Sequence, residues 1–178
     1  GFQVVFIGVH MPSYLKDHGL TPDVATTSLA LIGLFNVFGT YLSGELGQRL
    51  PKRYILATIY ALRAVVIVAF LAAPLTPWSV YLFSATMGLL WLSTVPATNA
   101  LVAQIFGVRY MSMLGGFVFF SHQIGSFLGA WLGGVLFDQT GSYDVVWWIA
   151  VALGVAAALI NLPVRETAIQ RAAPQAVA

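Results

Sequence analysis

Long apolar runs that contain almost no charge constrain this chain more than any other feature. Five of them are long enough to cross a bilayer as helices, because about 20 apolar residues span its hydrocarbon core. They occupy residues 26–46, 54–73, 78–106, 110–137 and 145–162. Backbone groups in lipid must be hydrogen-bonded within the protein, so these runs predict helices rather than irregular chain.

The composition also indicates a lipid solvent. Hydrophobic residues make up 59% of the chain and charged residues 8%, whereas soluble domains carry about 25% charge. The net charge is +2 and the basic residues are scattered, so the chain lacks the basic patch that binds nucleic acid. With no cysteine, disulfides and thiolate metal sites are excluded.

A shorter apolar run precedes these five and ends by Leu15. Fifteen helical residues reach only about 22 Å, so we expect a first helix that is truncated at its N-terminus. The predicted fold is therefore all-α, a six-helix transmembrane bundle over residues 1–163. Residues 164–178 are rich in Ala, with Gln and Pro, and predict a disordered tail.

Basic residues favour one side of the predicted membrane. Because successive helices reverse direction, their loops form two sets, and one set holds only Lys16. The other set holds Arg49, Lys52, Arg53, Arg109, Arg165 and Arg171. Cytoplasmic loops carry an excess of Lys and Arg, so this second set and the C-terminus are predicted to be cytoplasmic.

An internal repeat appears when the chain is shifted by 90 residues. Residues 39–46 read Gly-Thr-Tyr-Leu-Ser-Gly-Glu-Leu, and residues 129–136 read Gly-Ala-Trp-Leu-Gly-Gly-Val-Leu. The two segments end helices on opposite sides of the predicted membrane. Helices one to three and four to six are thus predicted to be inverted repeats, an arrangement found in transporters. Chance similarity between small-residue helix ends is the alternative.

The loop after the second helix, residues 44–53, reads Gly-Glu-Leu-Gly-Gln-Arg-Leu-Pro-Lys-Arg. It resembles the signature loop of the major facilitator superfamily, G-x-L-x-D-R-x-G-R-R. Gln48 and Pro51 depart from that pattern. The matching positions are Gly44, Leu46, Arg49, Lys52 and Arg53. The resemblance implies the C-terminal six-helix half of a twelve-helix transporter, with an N-terminal half as its partner.

Residues 107–143, centred on 121–134, are similar to bacterial monocarboxylate-transporter-type members of the superfamily, which include oxalate/formate antiporter-like carriers. This resemblance implies alternating-access transport of a mono- or dicarboxylate across the bacterial inner membrane, driven by a proton or a counter-anion and without a cofactor. Animal-type carriers have Asp and Arg where this chain has Asn36 and Thr40. Their residue-level mechanism is therefore not transferred.

Arg63 lies near the middle of the third predicted helix, about ten residues from either end. A charge at that depth costs at least about 2.5–3.5 kcal/mol and needs a partner. Every Asp and Glu lies at or beyond a helix end. The partner is therefore an anionic substrate, a carboxylate of the other half, or a set of backbone carbonyls. Substrate binding and a structural brace are both retained as hypotheses.

Other polar residues lie at a similar depth, where transporter sites are found. The candidate substrate-binding residues beside Arg63 are Asn36, Trp91, His122, Gln123 and His10. His122 could bind an anion or relay a proton, with a packing hydrogen bond as the alternative. His10 is implied by the resemblance to line the cavity, and its alternative is also packing. Without a nearby carboxylate, these two histidines predict no metal site.

Pro96 and a stripe of glycines are candidate gating or packing features. Pro96 predicts a helix kink, and Asn99 is a candidate partner for the carbonyl that it frees. Gly125, Gly129 and Gly133 recur every four residues, a spacing that lets helices approach closely in lipid.

An intramembrane enzyme is disfavoured because no Ser-His-Asp arrangement, metal-ligand set or nucleotide loop appears in the sequence. The remaining alternatives to an anion transporter are a carrier of a neutral or other small solute and a non-transporting subunit of a membrane assembly.

Overall fold

The computed structural model describes residues 1–169, and this part of the chain contains helices and no strand. The helices are α1 (Phe2–Asp17), α2 (Pro22–Arg49), α3 (Lys52–Ala72), α4 (Pro77–Leu90), α5 (Thr94–Phe106), α6 (Met111–Thr140) and α7 (Asp144–Asn161). A single 3₁₀ turn, Val108–Tyr110, joins α5 to α6. The predicted all-α fold is confirmed.

The seven α-helices of residues 1–169 form six spans, because α4 and α5 together form one of them. The spans Pro22–Arg49, Lys52–Ala72, Pro77–Phe106 and Asp144–Asn161 are each long and apolar enough to cross a membrane. Helices α1 and α6, of 16 and 30 residues, complete the predicted set. The bundle is therefore built as the apolar runs indicate.

Local sequence signals explain several helix ends. Pro22 and Pro77 each begin a helix, where the missing N–H costs nothing. Thr76 and Ser79 form a reciprocal capping box at the start of α4. Gly107 and Gly141 follow α5 and α6 with φ of +81° and +70°, a conformation that favours glycine.

The fourth predicted helix, 78–106, is divided rather than continuous. Its first part ends at Leu90 and its second begins at Thr94, and we call residues 91–93 the midspan break. Pro96 lies in the first turn of α5, three residues beyond the break. The Leu92 carbonyl accepts the Val95 N–H at 2.9 Å, so the carbonyl assigned from the sequence to Asn99 is bonded locally instead.

The packing of the spans is symmetric between the two repeats. Helix α2 packs on α4, α6 packs on α1, and α3 packs on α7. If spans one to three are exchanged with spans four to six, the α2–α4 pair becomes the α6–α1 pair. The α3–α7 pair is unchanged by the same exchange. Gly39 and Gly129, matched by the 90-residue shift, lie at the two equivalent crossings. The predicted inverted repeats are confirmed by this arrangement.

The apolar core has two parts. The larger cluster lies toward the α1–α2 loop and surrounds Trp147, whose ring centroid is 4.9 Å from that of Phe6. The smaller cluster lies toward the α2–α3 loop and is formed by Ile55, Leu56, Ile59, Ala97 and Leu101. It joins α3 to α5 and is covered on one side by Val164.

Residues 164–169, here called the C-terminal strap, follow α7 and bind the ends of two other helices. The Glu166 carboxylate accepts the Arg53 backbone N–H at 2.8 Å, in the first turn of α3. Gln104 Nε2 donates to the Glu166 carbonyl at 2.8 Å, and the Ile169 N–H donates to the Ile105 carbonyl at 2.9 Å. The rest of the predicted tail, residues 170–178, lies outside the described residues.

Glu166 supplies a cap that α3 lacks locally. The residue before α3 is Pro51, whose side chain carries no acceptor for the free N–H groups of the first turn. A carboxylate at a helix N-terminus also interacts favourably with the helix dipole. The strap therefore stabilises the start of α3 and fixes it to the end of α5.

Candidate functional site

Three side chains from α2 and α3 bind the backbone of the midspan break. Asn36 Oδ1 accepts the Leu92 N–H at 3.0 Å. Ser43 donates its hydroxyl to the Ser93 carbonyl. Arg63 donates to the carbonyls of Leu90 and Trp91. Asn36 and Arg63 replace bonds that a continuous helix would have made, and Ser43 adds a bond to the carbonyl that precedes α5, so the interruption is satisfied within the bundle.

Arg63 is 4% exposed and directs its guanidinium at neutral acceptors. Its Nε donates to the Leu90 carbonyl at 3.0 Å, and its Nη1 lies 3.5 Å from Oε1 of Gln3. Gln3 in turn donates to the Ala150 carbonyl at 2.7 Å, which connects Arg63 to α7. These contacts correspond to the brace hypothesis, and direct binding of substrate by Arg63 stays a prediction.

The positive charge of Arg63 has no carboxylate partner among the described residues. In that part of the chain one salt bridge forms, Arg49 with Glu45 at 2.6 Å, and it lies at the exposed end of α2. A guanidinium stays protonated at physiological pH. The region around the midspan break therefore carries an unbalanced positive charge in a low-dielectric medium, which attracts anions.

A cavity of about 800 Å³ opens beside the midspan break, between α5 and α6. We call it the α5–α6 cleft. Its polar lining residues are Thr94, Thr98, Asn99, Ser112, Ser121 and His122. Tyr60, Val118 and Phe119 contribute apolar and aromatic surface. No acidic residue and no lysine or arginine appears among the described residues that line it, so its polar side chains carry hydroxyls, an amide and an imidazole.

The candidate residues do not converge on one point. His122 lines the α5–α6 cleft, and its ring is stacked on Phe119 with centroids 6.2 Å apart. Asn36 lines a separate open groove on α2 while it binds the break. Trp91 belongs to the break, where its carbonyl accepts a bond from Arg63. Gln123 is exposed on α6 and does not line the cleft.

His10 and the glycine stripe meet at the crossing of α1 and α6. His10 Nε2 lies 2.8 Å from the Ala130 carbonyl, and a Cβ on Gly133 would come within 2.5 Å of the His10 ring. A Cβ on Gly129 would lie 2.4 Å from the Phe2 carbonyl oxygen, and one on Gly125 would lie 3.1 Å from the Phe2 nitrogen. The stripe is thus the surface on which α1 packs.

The residues of the signature loop make different contacts. Arg49 forms the salt bridge with Glu45, and the Arg53 guanidinium lies 4.6 Å from the Tyr54 ring centroid and donates to the Val164 carbonyl at 3.3 Å. Leu46 packs against the smaller apolar cluster. A Cβ on Gly44 would meet nothing within 4 Å among the described residues. This loop therefore contacts the C-terminal strap rather than the cleft.

Sequence reasoning missed most of the cleft. Thr94 and Thr98 are four residues apart and therefore share one face of α5. That spacing is a signal present in the sequence. It does not identify the cleft by itself, because the sequence does not show which helix packs beside that face of α5.

Comparison with known proteins agrees with this architecture. The model of the Major Facilitator Superfamily matches residues 1–177. The chain is 25% identical to the uncharacterized MFS-type transporter YcxA of Bacillus subtilis over 91% of its own length and 40% of that protein. It is 27% identical to monocarboxylate transporter 13 of Bos taurus over 87% of its length and 37% of that protein.

A third relative is the benzoate transport protein of Acinetobacter baylyi, which is 25% identical over 84% of the chain and 33% of the relative. The chain thus spans between 33% and 40% of the length of these three curated relatives. A multi-pass helical bundle, inverted repeats and a family match over nearly every residue agree with one another. The chain belongs to the major facilitator superfamily, a family of membrane transporters.

Proposed function

We propose that the chain forms the C-terminal half of a secondary transporter that carries a small organic anion, a mono- or dicarboxylate, by alternating access. The α5–α6 cleft forms this half's part of the substrate site. The other part is contributed by an N-terminal six-helix half. A proton or a counter-anion drives transport across the bacterial inner membrane, with the α2–α3 loop and the C-terminus in the cytoplasm.

The observation that carries this proposal is the pairing of an acid-free cleft with an unbalanced buried charge. Arg63 lies behind the midspan break, and the cleft opens beside the same segment. Its positive charge favours an anion in the cleft even though its own N–H groups are bonded to carbonyls. The threonine and serine hydroxyls and His122 then provide the hydrogen bonds that a carboxylate accepts.

The start of α5 adds to the same preference. Its first turn begins at Thr94, at the break, and Thr94 and Val95 line the cleft. The N-terminal end of a helix carries partial positive charge, and interrupted helices in transporters direct such ends at anionic groups of the substrate. The names of two relatives, a monocarboxylate transporter and a benzoate transport protein, are consistent with a carboxylate.

The test is uptake by the full-length protein in proteoliposomes. Radiolabelled benzoate, a short aliphatic monocarboxylate and a dicarboxylate are compared with benzamide, a neutral analogue of benzoate. We expect uptake of at least one carboxylate and none of benzamide. Uptake of benzamide alone, or of cations alone, would exclude an organic anion as substrate.

A pair of threonine variants tests the location of the site. Thr98→Val removes a hydroxyl from the cleft with little change in volume, whereas Thr86→Val removes one that donates to the Leu82 carbonyl on α4. We expect Thr98→Val to raise the KM for the carboxylate about five- to tenfold, since one lost hydrogen bond costs about 1 kcal/mol. Equal KM values for the two variants would place the site elsewhere.

A further inference from the structure

An apolar groove of about 390 Å³ lies between α2 and α3, on a different face from the α5–α6 cleft. We call it the α2–α3 groove. The two helices join at Leu50–Pro51 and make few contacts with each other along their lengths. Leu42 and Leu46 line one wall, Thr58 and Leu62 line the other, and the end of α4 forms the floor.

The interior of the α2–α3 groove is suited to hydrocarbon. Two of the hydroxyls that line it are already bonded, because Ser43 donates to the Ser93 carbonyl and Ser93 donates to the Leu89 carbonyl. The Tyr54 hydroxyl accepts a bond from Arg53 Nη2 at 3.0 Å, which leaves Thr58 as the remaining hydroxyl residue on its walls. A polar ligand would lose its hydrogen bonds to water here and find few protein partners to replace them. An alkyl chain makes no hydrogen bonds and does not incur this cost.

The length of the α2–α3 groove matches one leaflet of a bilayer. Its α2 wall extends from Gly39 to Leu50, which is about 16 Å at 1.5 Å per residue. The hydrocarbon core is about 30 Å thick, so this wall covers about half of it. An acyl chain from the leaflet on the side of the α2–α3 loop would therefore fit in the groove over its full length.

Positive charge lies at the loop end of the same groove. Arg49 and Lys52 flank the two lining residues Leu50 and Pro51 in sequence. The Arg53 guanidinium lies 4.6 Å from the ring centroid of Tyr54, which also lines the groove. Glu45 pairs with Arg49, and the Glu166 carboxylate lies at the Arg53 backbone N–H, so two carboxylates accompany these three positive charges among the described residues. Basic pockets between transmembrane helices are suited to the phosphates of anionic lipids.

We propose that the α2–α3 groove binds one acyl chain of an anionic phospholipid from the leaflet on the side of the α2–α3 loop. Arg49, Lys52 and Arg53 hold its headgroup phosphate. The chain then lies against Leu89, Leu90 and Ser93, on the back of the midspan break. Because these residues also anchor Gly39, Arg63 and Ser43, the lipid supports the broken span from the side opposite the substrate cleft.

Lipid retention by the full-length protein tests this site directly. The purified protein is equilibrated with phosphatidylglycerol or phosphatidylcholine of identical chains, and bound lipid is counted by native mass spectrometry. Thr58→Trp and Leu42→Trp each fill the groove from an exposed position, and Val65→Trp adds the same ring on the outer surface of α3. We expect both groove variants to retain at least fivefold less phosphatidylglycerol and Val65→Trp to retain the wild-type amount.

A charge variant tests the headgroup separately. Arg49→Gln combined with Lys52→Gln should remove the preference for phosphatidylglycerol over phosphatidylcholine, whereas Lys16→Gln, on the opposite side of the bundle, should preserve it. Wild-type protein that binds the two lipids equally, or groove variants that retain lipid as Val65→Trp does, would overturn the proposal. So would a disulfide between cysteines at Leu46 and a helix of the N-terminal half, which would show that protein fills the groove.

Discussion

The α2–α4 and α1–α6 crossings occupy equivalent positions in the two repeats, yet they are held in different ways. At the first, polar side chains of α2 and α3 bind the backbone of a broken helix. At the second, α6 is an unbroken helix of 30 residues, and Gly125 and Gly129 lie against the backbone of α1 while Gly133 lies against the His10 ring. One side-chain bond, from His10 to the Ala130 carbonyl, crosses there.

The two repeats share one architecture but differ in the number of side-chain bonds at these crossings. The α2–α4 crossing depends on specific bonds, so its geometry is fixed and the midspan break keeps its shape. Small residues allow close approach at both crossings, at Gly39 and Gly88 as well as at Gly125 and Gly129, but fewer side-chain bonds restrict the position of α6 on α1. We therefore expect the cleft to change shape by movement of α6 rather than by rearrangement of the break.

The largest loss of stability is expected when a Cβ is added at the glycines of the two crossings. In Gly39→Ala the new Cβ would lie 1.9 Å from the Leu89 carbonyl oxygen, and in Gly129→Ala it would lie 2.4 Å from that of Phe2. Overpacking of this kind costs about 3 kcal/mol, because backbone rather than a flexible side chain must move. Thermal unfolding in detergent should rank Gly39→Ala below Gly129→Ala.

Gly44→Ala is the matched control, since its Cβ meets nothing within 4 Å. It should be as stable as wild type or slightly more stable, because alanine favours helix over glycine. If Gly39→Ala and Gly44→Ala unfold at the same temperature, the close crossing of α2 and α4 is contradicted.

The next largest loss of stability is expected at Arg63, which bonds the backbone of the midspan break. Arg63→Met leaves the carbonyls of Leu90 and Trp91 without their donors, at a point where the α4 hydrogen-bond ladder has ended. We expect a loss of about 2 kcal/mol in the free energy of unfolding. His10→Phe should cost less, because the Ala130 carbonyl lies within a continuous helix. Thermal unfolding of the two variants tests the comparison, and a greater loss for His10→Phe would reverse it.

The smallest effect is expected at Asn36. Asn36→Ala removes the acceptor of the Leu92 N–H and should cost about 1 kcal/mol. Thr40→Val removes only the hydroxyl that donates to Asn36 at 3.3 Å and should be nearly neutral. Unfolding measured under identical conditions should separate the two. If the two variants are equally stable, Asn36 does not hold the break.

The spans were predictable from the sequence because hydropathy reports burial in lipid directly. The midspan break was not, since Trp91 and Leu92 keep the run apolar and hydropathy does not register a missing backbone hydrogen bond. Pro96 indicated a disturbance in the right region. Its position could not specify whether the helix would bend at the proline or stop before it.

The candidate site was predictable only in part, for a related reason. Arg63 was identifiable because a charge in the middle of a span needs a partner. Which carbonyls serve depends on how α3 packs on the break, and one sequence does not specify that packing. The Glu166 cap was equally unpredictable, because it binds the start of α3 from 113 residues away.

Pro96 also limits the motion that the fourth span can make. A proline has no N–H to give to the residue four positions earlier, and its ring would collide with that carbonyl, here that of Leu92. The helices α4 and α5 therefore cannot merge into one regular helix. Any rearrangement of this span therefore leaves two separate helices that meet at the midspan break.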